Sequence, residues 1–197
     1  MDVNEIIREL DELIPEIYEN ALLHGWWNKE TTIGEIYSLL HSELSEALEE
    51  YRLSRPIYYF VGRYGIQMEE FFETDKEPHG AAVEIADYVI RILSYFGHKG
   101  WLLTEALPDV RYADAVKRAE RARKDLPSFI AGLHYGTSCA YEAANCNSVE
   151  IEKRLLAACV MLIAYWLLEH NIDLTAVCRV KHRYNITRPY RHGGKVI

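Results

Sequence analysis

Residues 83–93, VEIADYVIRIL, decide the fold predicted for this chain. Apolar side chains cover nearly every face of this stretch, and such a pattern predicts a helix buried in a core. Only Glu84, Asp87 and Arg91 interrupt the apolar surface, along one line. Because residues three apart share a helix face, the stretch predicts two carboxylates carried into the protein interior.

A second acidic helix is predicted upstream, where residues 40–50 are LHSELSEALEE. Glu43 and Glu46 are three residues apart, and Glu50 extends their stripe by one turn. If this helix packs antiparallel to the first, four carboxylates converge inside a bundle. Buried acids need cations, and oxygen ligands favour Mg²⁺, with Mn²⁺ as an alternative. Such a site suits phosphoryl chemistry.

Two other interpretations of these acids are consistent with their spacing. The simpler one makes them solvated faces of ordinary surface helices, since acids at this spacing are common. The other is a di-iron carboxylate bundle, which needs histidine three residues after glutamate on two helices. No histidine in the chain follows a glutamate at that spacing, so the di-iron alternative is weak.

Composition limits the class of protein. The 197 residues are 49% hydrophobic and 26% charged, which is typical of a soluble globular protein. A net charge of -8 argues against general nucleic-acid binding. The four cysteines form no CxxC pair and are expected to be free thiols in a reducing cytoplasm. No signal peptide is evident, and the longest uncharged apolar run, residues 155–168, is too short to span a bilayer.

The chain is predicted to be a single all-α domain over residues 1–197. Helices are expected at about 3–23, 33–53, 80–96, 110–124, 128–144, 149–170 and 173–186, and Pro15 is a possible break or kink. No convincing alternating strand is found. The aromatic segment at about 54–78 is interpreted as an irregular insertion, and the basic end, RPYRHGGKVI, as a non-helical tail.

A faint internal repeat relates two helical hairpins. Residues 133–143, LHYGTSCAYEA, align with residues 40–50, and LLAACV (155–160) aligns with EIADYV (84–89). The apolar skeleton persists while the acids are lost, to Gly136, Cys139, Leu155 and Ala158. Residues 1–107 are therefore predicted to be a metal-binding half, 108–186 a degenerate second half and 187–197 a basic tail. Chance similarity between two amphipathic hairpins is the alternative.

The two acidic motifs, IYSLLHSELSEALEEYR and VEIADYVIRIL, resemble the ExxE and ExxD signature of the MazG-like all-α nucleotide pyrophosphohydrolases. HGWW before the first motif resembles the entry segment of that family. IDLTAV and KHRYNITRPYRHGGK resemble its closing segment. The resemblance covers a little under half of the chain. It implies a MazG-like helical bundle with an acid-less second hairpin, a pseudo-dimer within one chain.

The resemblance also implies the chemistry. A nucleoside triphosphate, with a slight preference for purine deoxynucleotides, would be hydrolysed to the monophosphate and pyrophosphate. Glu43, Glu46, Glu84 and Asp87 would bind Mg²⁺ and position or deprotonate the attacking water. Residues of the closing segment would hold phosphates or close over the nucleotide; these are Lys181, Asn185, Arg188 and Lys195.

Trp26, Trp27 and Lys29 are candidates for contacting the base and phosphates, although tryptophans after a helix also serve as packing anchors. Three alternative functions remain open at this level. They are a non-catalytic nucleotide-binding or regulatory module, a helical partner-binding protein whose basic tail docks on an acidic surface, and an all-α deoxyuridine triphosphatase. Neither a nucleic acid nor a membrane is an expected partner. Both a monomeric pseudo-dimer and a homodimer fit the repeat.

Overall fold

The computed structural model describes residues 2–27, 31–61, 67–68, 77–107 and 125–194, without the side chains of 67, 68, 192 and 194. Within these ranges the chain is mostly helical, as predicted. The predicted helices match to within three residues, and the one at 110–124 lies outside the described residues. The helices are α1 (Val3–Leu23), α2 (Ile33–Arg52), α3 (Ala81–Lys99), α4 (Leu103–Ala106), α5 (Leu126–Asn145), α6 (Val149–Glu169), α7 (Leu174–Thr187) and α8 (Arg191–Gly194).

Polar caps in the sequence set where several helices begin. Asp2 accepts a hydrogen bond from the backbone of Glu5 at the start of α1 (2.9 Å). Thr32 and Glu35 form a reciprocal capping box at the start of α2. Asp125 and Asp173 cap α5 and α7 in the same manner as Asp2. Helix α1 continues through Pro15, so the expected break is absent.

Three short strands correct the prediction that no strand is present. They are β1 (Tyr59–Val61), β2 (Gln67–Met68) and β3 (Pro78–His79), and they form an antiparallel sheet in the order β2-β1-β3. Strands of two or three residues are too short to show an alternating pattern in the sequence. They fall in or next to the segment that was interpreted as irregular.

The sheet fixes the start of α3. Gly80 joins β3 to α3 with φ of 109°, and a Cβ there would lie 2.5 Å from the carbonyl oxygen of Ile57. The amide of Ala82 donates to that same oxygen (2.9 Å). Only glycine fits this turn. The insertion therefore sets the position of the first turn of α3, which carries Glu84.

Two helical hairpins pack side by side. Helix α2 packs on α3, α5 packs on α6, and α2 and α5 face each other between them. Helices α1 and α7 both cover α3, and one buried apolar cluster includes residues of all these helices. In the described chain no single helix is long and apolar enough to cross a membrane. The pair α6 and α7 meets that test only together, across a bend of 107°.

The α2–α5 contact brings together positions that the repeat alignment matched. His41 Nδ1 lies 2.8 Å from His134 Nδ1, and one ring donates to the other. Ser45 Oγ donates to the carbonyl of His41, and Ser138 Oγ donates to that of His134, each at 2.9 Å. The same local hydrogen bond thus occurs at matched places in both helices.

The end of the chain also differs from the prediction of a non-helical tail. Pro189 ends the long helix α7 as expected, but the chain then forms the short helix α8. Two backbone bonds explain this turn. The amide of Arg191 donates to the carbonyl of His24 (3.1 Å), and that of Gly193 donates to Tyr190 (3.2 Å).

Candidate functional site

Helices α2 and α3 bring three of the four predicted acids together. Glu43, Glu84 and Asp87 each offer a carboxylate oxygen, and these three oxygens lie within 4.8 Å of one another. Glu43 is only 5% exposed. Because α2 and α3 pack along their length, acids three residues apart on α3 both face α2. We call Glu43, Glu84 and Asp87 the acid trio.

Glu46 lies apart from the acid trio. It lines the same cavity but is exposed, and its carboxylate accepts a hydrogen bond from Ser42 Oγ (3.0 Å). Glu50, one turn further along α2, is held by Arg55 (2.7 Å) and the hydroxyl of Tyr59 (3.1 Å). Along α2 the acids therefore lie in three different surroundings: Glu43 in the buried trio, Glu46 at the rim of the cavity and Glu50 beside the sheet.

Two cationic side chains neutralise the acid trio. Arg91 Nε donates to Glu43 Oε1 at 2.6 Å. Lys181 Nζ lies 3.0 Å from Asp87 Oδ2, and its side chain is only 5% exposed. Asn185 Nδ2 donates to the other oxygen of Asp87 (3.1 Å). Lys181 and Asn185, expected to meet phosphates, thus contact an acid, and Arg91 is a partner that the sequence analysis did not assign.

Burial and the neighbouring charges together set the pKa values in this cluster. Burial raises the pKa of Glu84 to about 8, although Lys181 opposes the shift. Burial also raises the pKa of Glu43, against the opposing charge of Arg91. For Lys181, burial alone would lower the pKa, but Asp87 and Glu84 outweigh it and raise the pKa. In the absence of a bound cation, the Glu84 carboxyl is therefore mostly protonated at neutral pH.

The donor set fits a hard divalent cation. Three carboxylates converge, and Asn185 Oδ1 is a buried acceptor without a hydrogen-bond partner among the described residues. Carboxylate and amide oxygens are the ligands that Mg²⁺ and similar ions take in proteins. The acid trio is thus suited to hold a metal ion.

A cavity of about 300 Å³ opens beside the acid trio. Trp27 forms part of its wall, and its indole nitrogen donates to Ser94 Oγ (3.0 Å). His98 stacks on the Trp27 ring at 4.2 Å with an interplanar angle of 6°. Tyr95 and Trp26 also line the cavity. The aromatic wall is therefore fixed in place by α3, whereas Lys29 lies outside the described residues.

Basic residues of the closing segment line another part of the cavity. Arg188 and Arg191 both line it, and neither is ion-paired with a carboxylate in the part of the chain that the structure describes. The guanidinium of Arg191 donates to the carbonyl of Gly25 (3.2 and 3.3 Å). His24 Nε2 contacts the carbonyl of Arg188 (2.9 Å). The tail is thus docked on the segment after α1, while Lys195 lies outside the described residues.

The second half contributes a buried carboxylate that the sequence analysis missed. Glu152 is 4% exposed, and its Oε1 accepts hydrogen bonds from Tyr37 (2.9 Å) and Tyr95 (2.8 Å). Tyr95 lines the cavity, so Glu152 of α6 fixes part of the cavity wall. These partners are 115 and 57 residues away, and an acid in the first turn of a helix usually indicates only a favourable interaction with the helix dipole.

Cavity residues of α1 and α7 were also missed. His182 is 3% exposed and lies 3.3 Å from a carboxylate oxygen of Glu16. Burial lowers the pKa of His182. His24 lines the same region. Nothing in the spacing of these residues distinguishes them from packed polar residues of a helix.

In the second half, the positions that align with the acids of the first half cannot form a similar carboxylate site. A Cβ on Gly136 would lie 2.7 Å from the sulfur of Cys159, so a glutamate in place of Gly136 would clash. Leu155 and Ala158 are partly buried and pack against the core. At these positions the second hairpin therefore carries residues that pack against the core instead of carboxylates.

The geometry of the site stands without support from relatives. No protein-family model, no curated protein and no solved structure matches this chain.

Proposed function

We propose that this protein hydrolyses a nucleoside triphosphate, of the deoxyribose series by resemblance, to the monophosphate and pyrophosphate with Mg²⁺ or Mn²⁺. One observation carries the proposal: the acid trio faces a cavity that is also lined by Lys181, Arg188 and Arg191. Acids that hold a cation and bases that hold an anion, side by side in one cavity, match the charges of a metal–nucleotide complex.

The position of each charged side chain in the cavity indicates its role in the hydrolysis. The acid trio would hold the cation, which when bound would supply neutralisation of phosphate charge and a more acidic water. Glu46, exposed at the rim, accepts a proton from the attacking water. Water oxygen then bonds to the α-phosphorus as the bond to the bridging oxygen of pyrophosphate breaks. Arg188 and Arg191 bind the departing phosphates.

The nucleoside is assigned to the aromatic wall. Trp27 offers a ring whose orientation is fixed by Ser94 and His98. Tyr95 is held by Glu152 from the second half. Fixed aromatic rings bind a planar base with little loss of side-chain entropy. The second half thus supports the substrate pocket although it lacks acids.

We further propose that the fold is of MazG-like type and that the two hairpins form a pseudo-dimer. The contact of His41 with His134, and the matched bonds of Ser45 and Ser138, support a pseudo-twofold axis between α2 and α5. One active site then serves the pair. Such a chain can work as a monomer or pair again as a homodimer.

The test is pyrophosphate release from the common ribo- and deoxyribonucleoside triphosphates, and from deoxyuridine triphosphate, with Mg²⁺. Glu84→Gln replaces a carboxyl group that can ionise and bind the cation with a neutral amide of the same size, so we expect turnover to fall by at least about 100-fold with the helices intact by circular dichroism. Glu49→Gln is the matched control, since Glu49 is exposed and pairs only with Arg52 in the described chain. Full activity of Glu84→Gln would refute the metal site, and deoxyuridine triphosphate as the sole substrate would identify the deoxyuridine triphosphatase alternative.

A non-catalytic nucleotide-binding module is the second candidate. The observation that favours it is the pairing of Glu43 with Arg91 and of Asp87 with Lys181, which satisfies two acids of the trio without a metal. Such a module would bind nucleotides in equilibrium dialysis but release no pyrophosphate from any of them.

A further inference from the structure

The buried ammonium of Lys181 interacts with the whole acid trio. It lies 3.0 Å from Asp87 Oδ2, and the charges of Glu84 and Glu43 also act on it. Its side chain is 5% exposed, so water screens these interactions little. In this arrangement Lys181 is a counter-ion of the trio, alongside Arg91 at Glu43.

A divalent cation and this ammonium compete for the same oxygens. The ligand atoms of the trio lie within 4.8 Å of one another, so an ion bound among them is a close neighbour of Lys181 Nζ. Two positive charges at that separation repel strongly in a buried site. The lysine has four rotatable bonds and can move, whereas the carboxylates are fixed on packed helices.

The ammonium group that the cation displaces can turn into the cavity. Lys181 lines the cavity, together with Arg188 and Arg191. Among the described residues those two arginines are not ion-paired with carboxylates; Glu77 also lines the cavity, but it is hydrogen-bonded to Tyr184. A phosphate group of a ligand would supply a further anion there.

Resting on the proposed function, we propose that Lys181 is an exchangeable counter-ion: divalent-cation binding releases it from Asp87, and the released ammonium then binds a phosphate of the nucleotide. Metal binding thereby creates a phosphate-binding group. By linkage, the nucleotide strengthens metal binding by the same factor. The free protein binds the metal weakly, and the two ligands enter together.

Mn²⁺ binding without nucleotide, followed by electron paramagnetic resonance, tests the competition. We expect Lys181→Met to bind Mn²⁺ about tenfold more tightly than the wild type. Lys153→Met is the matched control, because Lys153 pairs with Glu150 (3.1 Å) outside the cavity; its Mn²⁺ affinity should not change. Equal affinities of wild type and Lys181→Met would overturn the counter-ion proposal while leaving the metal site intact. No binding by either protein would overturn both.

A second measurement needs no variant. A small amine-acylating reagent is applied to the wild type with and without Mn²⁺, and mass spectrometry quantifies acylation of Lys181. We expect Mn²⁺ to raise the acylation rate of Lys181 several-fold and inorganic pyrophosphate to suppress the increase. A rate unaffected by Mn²⁺ would show that the ammonium stays at Asp87, and would overturn the proposal even if Lys181→Met failed to fold.

Discussion

At the scale of single residues, Glu84 makes protein stability depend on pH. Burial raises its pKa from 4.5 to about 8 in the folded state. Between these values the folded protein holds a proton that the unfolded chain has released, so stability falls as pH rises. Without metal ions we expect a loss of at most about 1.4 kcal/mol per pH unit from this group. Thermal melting in EDTA from about pH 5 to pH 8 measures it.

Glu84→Gln is the control for this dependence of stability on pH. A glutamine at position 84 cannot titrate, whereas the histidines and the other acids of the variant still do. The difference between wild type and variant isolates Glu84. Saturating Mg²⁺ should flatten the wild-type slope, since a cation replaces the proton. Parallel pH profiles for the two proteins in EDTA would contradict the raised pKa.

The sequence predicts the acid trio but not its partners. Carboxylates three residues apart on an apolar helix must face inward together, and this local rule identified Glu84 and Asp87. The exposure of Glu46 depends on the angle between α2 and α3, which spacing does not encode. The pairing of Lys181 with Asp87 and of Glu152 with two tyrosines depends on contacts across the chain.

At the scale of elements, the tail after α7 is predicted to serve substrate binding more than folding. Most residues from Arg188 onward are exposed where described; they contact the segment after α1, and Arg188 also lies over the Tyr184 ring (6.0 Å). A chain that ends at Thr187 should keep its fold and lose at most about 1–2 kcal/mol of stability. It should lose at least about tenfold in kcat/KM, since the arginines that face the cavity are absent.

Steady-state kinetics and urea unfolding of the truncated chain separate these effects. Arg188→Met is the companion variant, because it removes one guanidinium and keeps the backbone contact with His24. It should reproduce part of the kinetic loss without the stability loss. Unchanged kcat and KM after truncation would remove the tail from the mechanism.

Helix bounds were predictable because caps and apolar spacing are local signals. Thr32 with Glu35, and Asp125 and Asp173, are such signals. The short strands and α8 were not, since the strands are too short to show an alternating pattern and β3 and α8 are held by partners distant in sequence. β1 pairs with β3 across the insertion, and α8 is bonded to His24.

At the scale of the whole molecule, the two halves are joined by buried polar bonds as well as apolar packing. Tyr88 of α3 and Thr137 of α5 are linked at 2.8 Å, and Tyr37 of α2 donates to Glu152 of α6. Both links cross between the hairpins. Buried polar pairs are costly to separate, because each group would lose its partner. We therefore expect the two halves to unfold in one transition.

The contact of His41 with His134 offers a direct measure of this coupling between halves. The rings meet at 2.8 Å between α2 and α5, and each is partly buried. His41→Ala should destabilise the protein by about 1 kcal/mol, and His134→Ala by a similar amount, because each removes one partner of the same bond. The double variant should be more stable than the sum of the two losses predicts, by roughly 0.5–1.5 kcal/mol.

Urea unfolding of the wild type, both single variants and the double variant gives this coupling energy. His41→Ala combined with His170→Ala is the control cycle, since His170 contacts the carbonyl of Trp166 within α6 and does not meet His41. That cycle should be additive within about 0.5 kcal/mol. A coupling of zero for His41 and His134 would mean that the histidines do not hold the hairpins together in solution. The proposed pseudo-twofold axis would then lose its main support, because the bond between matched residues is the contact that such an axis requires.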